Sequence, residues 1–461
     1  MTRTHQANLP DGWELADLRA VAEVNPKLDK SALADTLRVS FVPMPAVEAK
    51  TGAINVSETR HLEDVKRGYT PFREGDVLFA KITPCMENGK MAVVPALTNG
   101  LGFGSTEFHV LRPYREISAE YIYYFVSSES FRRNAGHHMT GAVGQRRVPT
   151  PYLAEQPVPV PPPQEQHRIV AKIYELFSEL DRGVESLQTA REQLNVYRQA
   201  VLKRAFEGKL TGEWRSEHLT ASRPSWRDTM LGSVLSLVTS GSRGWAAYYS
   251  EQGDIFIRAQ DLKYDRLALD DVAFVSLPKE TSEGTRTRVQ VGDVLITITG
   301  ANVTKTGLVR SDIGTAYVSQ HVALARPTEA IMPEFLYWFL VAEAGGRSQL
   351  NAASYGAGKP GLNLANIRSV AVPLPSLAEQ EEIVTCIDTL LSITDNTQIE
   401  IDRRLQQVET LRQAILKAAF SGNLVDQVPD DEPASALLER IKTESASAEK
   451  KPGKGRRRVA S

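Results

Sequence analysis

Two stretches of the chain carry mostly apolar residues at alternating steps of four and three. The first runs through Ile169, Ile173, Leu176, Leu180, Gly183, Leu187, Ala190, Leu194, Tyr197 and Val201. The second runs through Ile383, Ile387, Leu390, Thr394, Thr397, Ile401, Arg404, Val408, Leu411 and Ile415. A period near 3.5 residues predicts a coiled-coil seam. Each stretch, at about 1.5 Å per residue, would make a rod of roughly 60 Å. A lone rod leaves its seam wet, so the second copy is the expected partner, packed antiparallel with a module at either end. Shorter periods precede each rod. Gly75-Asp76-Val77-Leu78-Phe79 and Gly292-Asp293-Val294-Leu295-Ile296 read as a turn leading into a buried strand. Glu107 to Pro113 and Gln320 to Pro327 alternate as strands that stop at Arg-Pro. Short amphipathic helices are expected at Ala119 to Ser128 and Pro333 to Ala342. A glycine loop and a proline-punctuated strand confined to a sheet edge follow in each half.

The chain thus contains itself twice. Arg198-Gln199-Ala200-Val201-Leu202-Lys203 with Ala205, Phe206, Gly208 and Leu210 returns as Arg412-Gln413-Ala414-Ile415-Leu416-Lys417 with Ala419, Phe420, Gly422 and Leu424. Glu379 follows Glu165 by 214 residues (379 − 165), and Phe420 follows Phe206 by the same interval (420 − 206). Upstream of the rods the copies agree only in scattered words. A repeated scaffold carrying two divergent modules implies one object that reads two different things at a fixed distance.

Composition narrows this picture little. The 461 residues and ordinary hydrophobic content allow a sizeable core in each half. No apolar run reaches the roughly 18 residues of a bilayer span. Met1 to Asp11 lacks an apolar signal core, so a cytoplasmic chain with no membrane partner is expected. Cys85 and Cys386 sit in unlike contexts and read as reduced thiols. The net charge of −2 argues mildly against nucleic acid, but local patches set the phosphate attraction. Arg132-Arg133, Arg146-Arg147 and Arg286 with Arg288 supply such patches. The segment after Leu424 is acidic. A short helix is expected at Ala434 to Lys442, then a disordered tail ending Arg456-Arg457-Arg458.

No catalytic constellation stands out. Gly356-Ala357-Gly358-Lys359 is followed by Pro360 and lacks the Ser/Thr and helix start of a phosphate loop. No amino-methyltransferase motif occurs. His137-His138 has no spaced acid or cysteine, so no metal site is expected. Both glycine loops precede their rods at one offset (358 − 144 = 214). Glycine lets a backbone approach a polyanion, and Gly144 with Arg146 and Arg147, like Gly358 with Lys359, reads as a phosphate contact. The alternative is a flexible hinge. Hydrogen-bonding side chains suited to base edges fall in the divergent parts. In the first module they are Lys81, Asn88, Lys90, Ser105, Thr106 and Glu107. In the second they are Ser242, Arg243, Arg258, Gln260, Lys263, Asn302, Lys305, Ser319 and Gln320. Arg and Lys suit guanine, Asn and Gln suit adenine, and Glu accepts from cytosine.

The whole order resembles the specificity subunit of type I restriction-modification enzymes. Gly-Asp-Val-Leu, Leu377-Ala378-Glu379-Gln380 and the run Glu432 to Ile441 look like its recurrent words. The first copy departs from them at Pro163-Gln164. The resemblance spans Leu9 to about Lys442. It implies an α+β fold in which two mixed α/β target-recognition domains are separated by two antiparallel coiled-coil helices with pseudo-twofold symmetry. The expected boundaries are 9–160 and 224–375 for the two domains, 161–212 and 376–425 for the helical spacers, and 426–461 for the tail. It also implies that each domain reads half of a bipartite site in double-stranded DNA. The helices would set the unread spacer, with half-sites about one helical turn apart, and dock two modification subunits. Those subunits would methylate adenine with S-adenosylmethionine, and restriction (motor-nuclease) subunits would use ATP and Mg²⁺. This chain would bind no cofactor itself. The rival reading is a non-catalytic coiled-coil adaptor presenting two protein-binding modules.

Overall fold

The computed structural model describes residues 9–142, 144–218, 226–277, 282–356, 358 and 360–449. Lys359, Val143, the start of the second module at Pro224-Ser225 and the basic tail from Lys450 lie outside the described residues. The chain divides into unit 1, residues 1–185 with 404–461, and unit 2, residues 186–403.

Each unit holds a pair of four-stranded sheets that share all but one strand of their arrangement. In unit 1 the first sheet runs, in spatial order, Ala22–Val24, Phe108–Pro113, Val77–Ala80, Met91–Val93, with antiparallel neighbours. In unit 2 its counterpart is Leu235–Ser240, Val322–Pro327, Val294–Thr297, Thr306–Leu308. The second sheets share a core of three strands. Thr59–His61 pairs antiparallel with Arg38–Val42, which runs parallel to Leu101–Gly104. Ala273–Val275, Asp254–Ile257 and Ala316–Val318 repeat that pattern. The fourth strand differs. Unit 1 adds Thr70–Arg73 beside Leu101–Gly104, and unit 2 adds Tyr249–Ser250 at the opposite edge.

The repeated words of the sequence meet in space. The Gly-Asp turn places Gly75 and Gly292 at φ +77° and +88°, a region only glycine enters without strain. The next residue is buried. Asp76 accepts from Arg112 Nε and Nη2 at 2.8 Å each and from the Arg73 amide at 2.7 Å. Asp293 does the same with Arg326, at 2.7 and 2.8 Å, and with the Gln290 amide. The Arg-Pro that ends each strand is thus tied to the turn that begins its neighbour. Charge-assisted, two-pronged bonds of this kind fix geometry as well as energy.

The long helices are Pro163–Phe206 and Leu377–Phe420. Both stop at the same signal. Gly208 and Gly422 turn left-handed, and Lys209 and Asn423 donate back to the carbonyls of Arg204 and Ala418 at 2.8 Å. Their Glu-Gln starts are buried. Gln166 accepts from the Ser118 amide and donates to the Pro161 carbonyl, and Gln380 does the same with Met332 and Pro375. Glu165 and Glu379 accept from the indole N–H of Trp13 and Trp226. The tryptophan that opens each module is therefore latched to the helix that follows it.

Within unit 2 the helices run antiparallel: Arg198 meets Asp395 at 3.2 Å, while the earlier Arg191 meets the later Asp402 at 3.9 Å. In unit 1, Arg412 pairs with Asp181, each 214 residues from its counterpart in the Arg198–Asp395 pair. The burial departs from a strict 3.5 repeat. Tyr197, Leu390 and Leu411 are 44, 39 and 49% exposed, and Gly183 is exposed, whereas Leu391 and Leu416 are buried. Near its ends each helix also packs on a module, so the buried stripe follows steps of four (Ile383, Ile387, Leu391) toward that core. The helix from Ala434 runs on to Glu449, past the expected end, and its Ala434, Leu437 and Ile441 complete the core of unit 1.

Candidate nucleic-acid interface

Some of the candidate readers, Lys81, Ser105 and Glu107 in unit 1 and Ser319 and Gln320 in unit 2, lie where strands of the two sheets end beside the glycine loop. The backbone there is built identically. Lys81 donates from its amide to the Glu107 carbonyl, and the Lys81 carbonyl accepts from Val148. In unit 2 the same bonds join Ile298 to His321 and Leu362 to Ile298. Ser105 and Ser319 bond equivalent strands through Val42 and Ile257. Each glycine loop closes as a bridge, Thr140 with Arg147 and Tyr355 with Gly361, and each bridge also pairs with the strand end, at Ile82 and at Thr299.

On the unit 1 frame, Glu107 and Arg147 face each other. Arg147 Nε and Nη2 donate to the Glu107 carboxylate at 2.9 and 2.7 Å, and Nη1 donates to the Gln145 carbonyl. The hydrogen bonds from Arg147 hold the Glu107 carboxyl below its ordinary range and raise the guanidinium. Arg146 lies 3.6 Å from Glu87. Asn88 and Thr106 are exposed, and Ser105 accepts from the Glu107 amide. Lys90 bonds the Met44 carbonyl at 3.2 Å and pins a loop. Lys81 lines a cavity of about 450 Å³ with Asn25, Lys27, Lys30 and Tyr69. Gly144 turns left-handed with open space where a Cβ would be.

In unit 2, seven of the candidate readers share one cavity of about 490 Å³: Ser242, Arg243, Arg258, Gln260, Asn302, Ser319 and Gln320. Arg258 is committed to Asp261 and the Asp271 carbonyl, and the Asp261 bonds raise its guanidinium. Gln320 lies 3.1 Å from the His321 ring. Lys263 is exposed on a two-residue strand, Lys305 donates no side-chain bond recorded among the described residues, and neither lines the cavity. Gly358 is exposed, and Lys359 is outside the described residues.

Aromatic side chains that periodicity did not single out also line this cavity. Trp245 stacks on Phe256 at 4.9 Å, and Tyr249, half exposed, meets Phe256 edge-on. The dense run from Trp245 to Tyr249 in a polar stretch was the available signal. Lys27 and Lys30 were equally visible as a basic pair. The fork-and-carboxylate arrangements bind and orient; nothing in them supplies a nucleophile with its base. Among the described residues, no three His, Cys, Asp or Glu side chains are grouped to hold a metal, and no helix is long and apolar enough to cross a membrane.

The family described as "Type I restriction modification DNA specificity domain" matches residues 10–195 and 250–409. The type I restriction enzyme EcoAI specificity subunit of Escherichia coli is 43% identical over 38% of this chain, a match spanning 29% of that relative's length. The EcoKI specificity subunit of Escherichia coli strain K12 is 27% identical over 74% of both chains. A solved chain, from work described as the structural basis of complex assembly and conformational transition of the type I R-M system, has a TM-score of 0.67. It is 22% identical, covering 90% of this chain and 100% of that one, a likeness of fold.

Proposed function

The chain belongs to the type I restriction-modification DNA specificity family, and on that premise we propose that it is the sequence-reading subunit of a DNA-modifying complex. Each module reads half of a bipartite target in double-stranded DNA. The helices space the halves and dock two modification subunits, and the adenine-N6 methyl transfer, with S-adenosylmethionine, belongs to those partners. The motor-nuclease work, with ATP and Mg²⁺, belongs to the restriction subunits. The chain contributes recognition and no catalytic group. The observation that carries this reading is the repeated backbone frame bearing different polar side chains at the same edge, since one frame with two sets of hydrogen-bonding groups suits two base sequences. Exposed apolar residues on the helices (Tyr174, Val196, Ile393 and Ile399) support protein docking there.

The test uses the chain assembled with its modification subunit. Affinity for duplex DNA should fall linearly with salt on logarithmic axes. Methylome sequencing of a host carrying the complex should show one two-part adenine-methylated motif. Salt-independent binding, or methylation without a two-part motif, would favour the adaptor reading and overturn this one.

A further inference from the structure

The equivalence of the two frames isolates one difference of chemistry. Position 107 in unit 1 corresponds to 321 in unit 2, and 147 to 361, by the hydrogen bonds that hold them. Unit 1 places Glu and Arg there; unit 2 places His and Gly. Resting on the reading above, we propose that Arg147, oriented by Glu107, is a specificity-determining residue that reads guanine in the half-site of the first module.

Guanidinium geometry carries the argument. Arg147 offers five N–H groups in one plane. Glu107 takes Nε–H and one hydrogen of Nη2, and the Gln145 carbonyl takes one of Nη1. Among the described residues, one N–H remains on each terminal nitrogen. The side chain is 42% exposed, at an edge that also carries Lys81 and Ser105. Two donors on the terminal nitrogens of one plane can pair with O6 and N7 of guanine in the major groove. A phosphate contact would gain from the full charge of the arginine and needs no fixed plane; here Glu107 offsets that charge and fixes the plane instead. Sequence alone assigns Arg147 to phosphates and Glu107 to base edges; their pairing makes Arg147 the reader and Glu107 its positioning residue. Ser105 Oγ accepts from the Glu107 amide and so helps to fix the main chain of the residue that orients the guanidinium.

Methylome sequencing of the assembled complex decides this. Wild type should show at least one G·C pair in the half-site of the first module. R147A should lose discrimination at one such pair, by on the order of ten- to a hundredfold, while every position of the other half stays fixed. R147M keeps much of the side-chain length and loses every donor, so it should relax the same pair, and it serves where R147A fails to assemble. E107Q should relax that pair more weakly. A half-site without G·C, or R147M with the full motif retained, overturns the proposal while leaving the two-module reading intact. So does a uniform fall in methylation across all sites with R147A in a complex that still assembles. A wild-type complex without a two-part motif would instead sink the reading on which it rests.

Discussion

Glu107 with Arg147 in one module and His321 with Gly361 in the other hang on the same hydrogen bonds, yet offer a partner different chemistry. The cavities beside them differ in the same way. The one in unit 1 is lined by Asn25, Lys27, Lys30, Tyr69 and Lys81, the one in unit 2 by Arg243, Trp245, Tyr249, Arg258 and the amides of Gln260, Asn302 and Gln320. The modules also differ in where the second sheet takes its extra strand. What stays constant is main chain and the bonds that fix it, above all Asp76–Arg112 and Asp293–Arg326. Backbone bonds are indifferent to most side-chain changes, so a surface built on them can diverge without loss of fold.

The helix junctions repeat the lesson. Arg412 lies over Phe177 in unit 1 and Arg198 over Trp338 in unit 2, each held by an aspartate of the other helix. In unit 1 the space beside this pair is nearly closed, about 30 Å³, with Tyr123, Tyr124 and Lys50 around it. In unit 2 about 560 Å³ stays open, between Arg266, Arg310 and Tyr337. The scaffold is shared, and the filling of its corners is not.

The largest expected effect comes from exchanging the second module. Replacing residues 226–374 by a related module should rewrite one half of the methylated motif entirely and leave the other untouched. Loss of both halves in methylome sequencing would break the independence of the two surfaces. Next, D76A and D293A each strand a partly buried arginine and a turn amide. Each should cost about 3–5 kcal/mol, seen as an early unfolding transition of the affected unit. A cost under about 1 kcal/mol for either one would end the claim that the two frames are held alike.

A smaller effect should separate the modules by pH. His109 is buried, and burial pushes its pKa down to about 4. Its Nε2 donates to the Val148 carbonyl at 2.8 Å, which leaves Nδ1 to accept from Asn25. The folded state therefore prefers neutral imidazole. The stability this gives is full above the unfolded pKa near 6.5 and is lost as pH falls toward 4. At pH 5 unit 1 should be weaker by about 2 kcal/mol relative to pH 7 through this group. Unit 2 has Ala323 at the corresponding place and should lack the effect. Hydrogen exchange at the two pH values resolves the units, and H109A should remove the difference. Equal acid sensitivity before and after that change would contradict the assignment. The smallest effect concerns the exposed pairs that join module to helix, Lys50–Glu409 and Arg266–Asp395. K50A and R266A should each change stability by less than about 1 kcal/mol. A larger loss in thermal melts would mean that these contacts hold the modules in place.

Much of the architecture was legible in the chain. The rods, their glycine stops, the Gly-Asp turns and the duplication follow from local rules: helical period, left-handed glycine and strand alternation act over a few residues and leave their mark in order. The exposure of Leu390 and Leu411 was not legible, because a helix packed on two surfaces buries two stripes and a period names only one. Nor was the bond between Asp76 and Arg112, although both recur in every copy of the words that contain them. They are 36 residues apart, and their meeting depends on strand register. The identity of each reader's neighbour is of the same kind. That Arg147 stands against Glu107, and that Trp245 shares a cavity with Asn302, is decided where separate strands end together. The sequence by itself determined which elements form and that they form twice. Only the tertiary structure decided which side chains share an edge, since that proximity comes from sheet pairing across tens of residues, and no local preference encodes it.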